Sequence, residues 1–303
     1  MIVLFLILVC LIGVSTPVQT AINSRLQDSI GSPLVASLVQ FGVGLLAISF
    51  ISVIFFPPLW EVVSFTGPWY AWIGGLTGVI GLTLFIVLFP RIGGIQTVLL
   101  PIVGQLLTGV LIDHFGAFGM EPRPVSLVKA GGLILSLAGV AFVVIHKGEK
   151  TTRVKSKWVW QFLGIVAGAM IATQSAANGM LGGIVGSSIT AALVSFKIST
   201  IVLVVLAFAL KSSRDCLDRI VSVRRPLWHW SGGLIGVVIV TGYAFFAPIL
   251  GVGLMSVVSI LGQLVMSVVI DRFGLFGARK VQVGALQYFG IVLVFLGSVL
   301  IYQ

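Results

Sequence analysis

The chain contains the same stretch twice. Residues 72–119 recur at 230–277, shifted by 158 positions, with 20 of 48 identical and no gap. Residues 19–41 recur at 174–196, shifted by 155, with 10 of 23 identical. The echo is clearest in Gly104-Gln105…Asp113-x-Phe115-Gly116-x-Phe118-Gly119 against Gly262-Gln263…Asp271-x-Phe273-Gly274-x-Phe276-Gly277. Each copy holds five apolar stretches long enough to cross a bilayer. Five is odd, so the second copy must insert upside down relative to the first. Inverted repeats of this kind place a binding site at the seam between the halves.

Composition leaves the bilayer as the only solvent for such a chain. Apolar residues make up 58% and charged residues 9% of the 303, against about 25% charged in a soluble domain. The apolar runs are close to the ~20 residues that span a ~30 Å hydrocarbon core. Ten spans are expected, at 2–22, 33–56, 69–89, 94–113, 126–146, 159–178, 187–210, 229–248, 252–270 and 282–302. Helices are the expected form, because lipid satisfies no backbone polar group and the short alternating pattern of a barrel strand is missing. The first stretch lacks a basic leader, and its Gln19 and Asn23 recur inside the chain as Gln174 and Asn178, so it reads as a retained helix. The expected fold is an all-α integral membrane protein of ten transmembrane helices in two five-helix inverted-topology repeats. The repeats would occupy residues 1–146 and 158–303, joined by a basic cytoplasmic linker at 147–157.

Charge placement sets the expected orientation. Of the 18 Lys and Arg residues, 15 fall in the loops after spans 1, 3, 5, 7 and 9, which the positive-inside rule puts in the cytoplasm with both termini outside. The bias flips between copies, since Arg25 and Arg91 of the first become Met180 and Ile249 of the second. The net charge of +10 is therefore a topology signal, and no nucleic-acid partner is expected. No Gly-rich nucleotide loop ending in Lys-Ser/Thr is present, and His114, His146 and His229 lack Cys or acidic partners at ligand spacing. No cofactor or metal is expected. No nucleophile–base pair lies in the spans, so an enzyme is not expected either.

Polar side chains inside spans are costly and point to interior surfaces or wet cavities. Lys197 lies near the middle of span 7, with no acidic residue at that depth, and its counterpart in the first copy is Gly42. As a substrate-binding residue it would suit an anionic or zwitterionic solute. Gln19 and Gln174, Gln105 and Gln263 form symmetric pairs, and Gln40 and Gln96 are unpaired extras. Amides both donate and accept, so they can line a cavity or join helices. Asn23 and Asn178, one turn after Gln19 and Gln174, read as helix-end caps. Asp113 and Asp271 close spans 4 and 9, where they can cap the following turn or serve in gating or coupling. Gly74-x-x-x-Gly78, Gly164-x-x-x-Gly168 and Gly232-x-x-x-Gly236 allow close helix approach. Pro90 with Gly93, and Pro248 with Gly251, are expected to turn the chain between neighbouring spans.

The opening Pro17-x-Gln19-x-x-x-Asn23-x-Arg25-Leu26…Gly31-Ser32-Pro33 and the Gly-Gln…Ile-Asp-x-Phe-Gly-x-Phe-Gly element resemble the YdcZ-type branch of the drug/metabolite transporter superfamily. Copy two departs from the opening pattern, with Gly179-Met180 where copy one has Ser24-Arg25. The resemblance implies five-helix units that work as antiparallel pairs or fused chains. It also implies secondary transport at the inner membrane, by export; together with the residues above, the expected function is export or exchange of a small organic metabolite by alternating access. Coupling to H+ or Na+ and assembly into a homo-oligomer are both compatible with the sequence. The alternative is a non-transporting membrane partner or assembly subunit.

Overall fold

The apolar runs do become helices. The structure, a computed structural model, describes residues 1–55, 67–145, 157–222, 225–277 and 284–302, with no strand among them. In chain order the helices are α1 (Ile2–Ile30), α2 (Pro33–Phe55), α3 (Gly74–Phe115), α4 (Leu127–Ile145), α5 (Lys157–Ile184) and α6 (Ser188–Ala209). The single turns α7 (Lys211–Arg214) and α8 (Arg219–Ser222) follow, then α9 (Ser231–Leu250), α10 (Val252–Phe273) and α11 (Ala285–Tyr302). Among the described residues, seven helices are long and apolar enough to cross a membrane, and Trp69–Phe85, Leu100–Phe115 and Leu127–Phe142 are shorter apolar stretches. Apart from Lys157, the expected linker 147–157 lies outside the described residues.

Helix α1 runs eight residues past the expected end of span 1, because polar residues such as Gln27 and Asp28 continue a helix once it leaves hydrocarbon. It stops at Gly31, whose φ of 85° is the left-handed cap that glycine adopts without penalty. Asn23 is therefore an interhelical residue and not the expected cap.

The stretch α3 covers 42 residues, about 63 Å if it were one straight helix. It is not straight. Its first half descends α5, with Gly74 against Asn178, Gly78 against Gln174 and Gly81 against Ala167. Its second half climbs the same helix, with Leu100 against Gly164 and Pro101 against Gly168. The rings of Tyr70 and Phe118, at opposite ends of the stretch, lie 5.8 Å apart. The chain thus reverses between Phe85 and Leu100, the interval in which Pro90 and Gly93 are expected to turn it. In copy two the corresponding reversal breaks the helix at Gly251, with φ 85° and ψ 151°.

The two copies hold each other by matching contacts. Gly74 meets Asn178, and with the copies exchanged Gly232 meets Asn23. In the same way Gly78 and Gln174 match Gly236 and Gln19. Gly104 on the Ile165 carbonyl matches Gly262 on the Cys10 carbonyl, and Gly168 on the Pro101 carbonyl matches Gly13 on the Ser259 carbonyl. Glycine at these crossings lets backbones approach closer than any side chain would allow. Phe41 and Phe196, equivalent residues of the two copies, meet edge to face with ring centres 5.4 Å apart.

One end of the bundle carries Arg25, Arg219 and Arg225. Arg25 donates to the Phe276 carbonyl at 3.0 Å, Arg219 to the Ile30 carbonyl at 3.1 Å, and Arg225 to the Ser29 hydroxyl at 2.7 Å. The opposite end gathers Phe118, the α5–α6 turn and the α9–α10 turn. Phe118 and Phe276 both sit in the left-handed region, at φ 58° and 56°. A bulky side chain is rare there, so the repeated Phe-Gly-x-Phe-Gly element folds into the same strained turn in both copies.

Candidate functional site: a polar seam and an apolar cavity

The symmetric glutamines divide between two seams. Where α1 crosses α9, Gln19 donates to the Gly232 carbonyl at 3.0 Å, and Asn23 donates to the Gln40 side-chain oxygen. Where α5 crosses the first half of α3, Gln174 lies on Gly78, and Asn178 donates to the Ser195 hydroxyl at 3.3 Å. Ser199 donates to the Gly75 carbonyl at 2.9 Å. Gln40 therefore occupies the place that Ser195 takes in copy two. Gln263 donates to Ser259 at 3.1 Å, and Ser259 shares a hydrogen bond with the buried hydroxyl of Tyr243. Gln105 is buried against α5, its backbone amide beside Gly168. The equivalents of Tyr243 and Ser259 in copy one are Phe85 and Pro101, so the polar network around Gln263 has no twin around Gln105.

Lys197 is placed differently from the expectation. It is exposed on the flank of α6, on one stripe with Ile201, Val205 and Phe208, while Ser195, Phe196 and Ser199 take the buried face. Depth along the span was legible, but the face was not. Among the described residues no contact joins Lys197 to the glutamines, and its exposed position adds nothing to the expectation of an anionic substrate. The side chains of Asp271 and Gln96 lie outside the described residues.

Asp113 is buried and holds the other copy. Its two carboxylate oxygens accept the backbone amides of Val252 and Gly253, each at 2.7 Å, at the N-terminus of α10. Arg123 completes the clamp. Its own backbone amide donates to the Asp113 carbonyl at 2.7 Å, and its guanidinium donates to the Leu250 carbonyl and, at 3.0 Å, to that of Ile249, the last carbonyls of α9. A carboxylate on a helix N-terminus and a cation on a helix C-terminus both follow the helix dipole. Sequence reasoning placed Asp113 at a cap and did not find Arg123.

Beside this clamp lies a cavity of about 920 Å³ that the sequence did not announce. Its walls are the Phe118–Met120 turn, residues 179–189 of the α5–α6 hairpin, and residues 241–249 of α9. None of the sequence-predicted site residues lines it. The lining is apolar and glycine-rich, with Ser187, Ser188 and Thr241 as its hydroxyls and no charged side chain among the described residues. Ser187 spends its oxygen on capping α6, accepting from the Thr190 amide at 3.3 Å. The Thr241 hydroxyl is buried without a partner. The one sequence signal was the glycine run itself: Gly179, Gly182 and Gly183 stand where copy one has Ser24, Gln27 and Asp28.

Long apolar helices crossing through glycine seams, with amides between them and a cavity at one end, define a multi-pass membrane protein. The family model described as "Putative inner membrane exporter, YdcZ" matches residues 4–142 and again 159–300. The chain belongs to that family, in a two-copy form, and is a membrane transporter. A solved crystal structure superposes with a TM-score of 0.69 at 14% identity, over 98% of this chain and 94% of its own, a likeness of fold. No protein of curated function matches the chain.

Proposed function

We propose that the protein is an ATP-independent secondary transporter that exports or exchanges a small organic metabolite by alternating access. In this reading ten spans form two five-helix repeats of opposite topology, and the fold-back of α3 supplies the third and fourth. The termini lie outside, the end bearing Arg25, Arg219 and Arg225 is cytoplasmic, and the cavity opens outward. The observation that carries the reading is the exchange of contacts between copies around a cavity at one end. A pair of halves that can swap roles is what alternating access requires. The amides Gln19, Gln174, Gln105, Gln263 and Gln40 form the polar seam on which the halves rock, and Asp113 with Arg123 borders the outward opening. Lys197, on the flank of α6, gains no support as a ligand residue from its position.

The test uses equivalent threonines of the two copies. Thr241 lines the cavity, and Thr83 is its counterpart on the first half of α3; each is half-buried, with a hydroxyl that has no partner among the described residues. In oriented vesicles, T241C should react with a membrane-impermeant maleimide from the outside, and T83C from the cytoplasmic side. If T83C stays unreactive from the cytoplasm under every condition, the halves do not exchange. A non-transporting membrane subunit is then the better account.

A further inference from the structure

We propose that the cavity is the substrate site and that it takes an uncharged molecule with a mainly apolar body and a hydroxyl or carbonyl group. That polar group would meet Thr241 in this state and Thr83 in the oppositely open one. The proposal rests on the transporter reading above and names the ligand class of its site.

Three observations lead to it. First, a cavity of about 920 Å³ lies within the usual 300–1,000 Å³ of a site for a drug-sized ligand. Second, among the described residues its lining carries no Asp, Glu, Lys, Arg or His. A charged ligand would give up its hydration inside and find charge only at the rim, where Asp113 and Arg123 already hold backbone groups of the α9–α10 turn, so the site selects against ions of either sign. The flanking rings of Phe118, Phe245 and Phe246 favour an apolar or aromatic body instead. Third, Thr241 is one of the residues that line the cavity, and its hydroxyl lies behind that surface, buried and without a partner among the described residues. A hydroxyl both donates and accepts, and a buried one without a partner is satisfied by a ligand's hydroxyl or carbonyl. The two copies keep threonine at this position, at Thr83 and Thr241, although residues 84–89 and 242–247 differ at every position. Both hydroxyls are unpartnered, as two halves that take turns at one ligand require.

The geometry also supplies a plug. A Cβ added at Gly183, on the cavity wall, meets nothing within 4 Å. Gly183→Phe therefore places a ring at the cavity wall without a clash at its Cβ, and an unchanged melting temperature checks that the fold accepts it. The experiment measures saturable binding to the purified protein in lipid nanodiscs, with empty nanodiscs subtracted. The probes share one body: 2-naphthylmethanol, 2-naphthoate and 2-naphthylmethylammonium. The alcohol should bind saturably, G183F should abolish that binding, and T241V should weaken it about tenfold, the worth of one buried hydrogen bond. Neither ion should bind saturably at the same concentrations. The proposal is overturned if an ion binds as well as the alcohol, if G183F binds like the wild type, or if none of the three binds. Maleimide reactivity of T241C and T83C is measured on the same preparations. Loss of probe binding with two-sided reactivity intact rejects the ligand class alone, whereas loss of two-sided reactivity rejects the transporter reading.

Discussion

Removing the Asp113 carboxylate should loosen the joint between the two copies more than any other single polar substitution. Its oxygens accept two backbone amides from the start of α10, each at 2.7 Å, and the side chain is buried. Hydrogen bonds to a charged group contribute about 1.5–3 kcal/mol each, and an amide left buried without a partner keeps its full desolvation cost. Asp113→Ala loses two such bonds at once, so a destabilisation of about 3–5 kcal/mol is expected. Asp113→Asn keeps one acceptor but loses the charge on the helix N-terminus, worth about 0.3–1 kcal/mol by itself, so about 2 kcal/mol is expected for that variant. Arg123→Ala, which frees the last carbonyls of α9 at a partly exposed site, should cost about 1 kcal/mol. Because both residues brace the α9–α10 turn, the double variant should fall short of the sum. Reversible unfolding of the purified protein in mixed micelles, titrated with SDS and followed by circular dichroism, gives these differences directly. An Asp113→Ala protein within 1 kcal/mol of the wild type would refute the clamp.

Other expected outcomes follow from the same contacts. Gly168→Ala drives a Cβ into the Pro101 carbonyl, which cannot move aside, and should cost about 2 kcal/mol or more. Gly131→Ala, whose Cβ meets nothing within 4 Å, should be neutral or slightly stabilising in the same titration. Gln40→Ala removes the acceptor of the Asn23 amide and should cost about 0.6–1.7 kcal/mol, the range of interhelical polar contacts in membranes. Lys197→Ala should insert normally and bind 2-naphthylmethanol with unchanged affinity, measured calorimetrically, since Lys197 lies on the exposed stripe of α6. A loss of binding would bring Lys197 back into the site.

The parts of the fold legible in the sequence were those written twice. Gly74, Gly78, Asn178 and Gln174 recur with Gly232, Gly236, Asn23 and Gln19, and the repetition anticipated that glycine faces and amides would serve both halves. The lipid-facing direction of a helix was not legible. α6 is apolar on all sides, so nothing in its periodicity separates the Lys197 stripe from the Phe196 face. Asp113 could be recognised as a helix-end residue, but its partners Val252 and Gly253 lie about 140 positions away and contribute only backbone amides. Backbone partners leave no residue-type signal. The cavity escaped for a related reason. Polar side chains inside spans direct attention to the seams they fill, whereas this cavity is made by what its residues lack, with glycines where copy one has Ser24, Gln27 and Asp28.

The central claim is that the two ends of the bundle open in turn, and coupling between Gly183 and Thr83 tests it most directly. A bulky maleimide attached to G183C wedges the cavity end open. In the G183C/T83C protein, that modification should sharply slow the reaction of T83C with a second, impermeant maleimide added from the cytoplasmic side, because an end held open keeps the other closed. Unchanged T83C reactivity after complete modification of G183C would contradict the account.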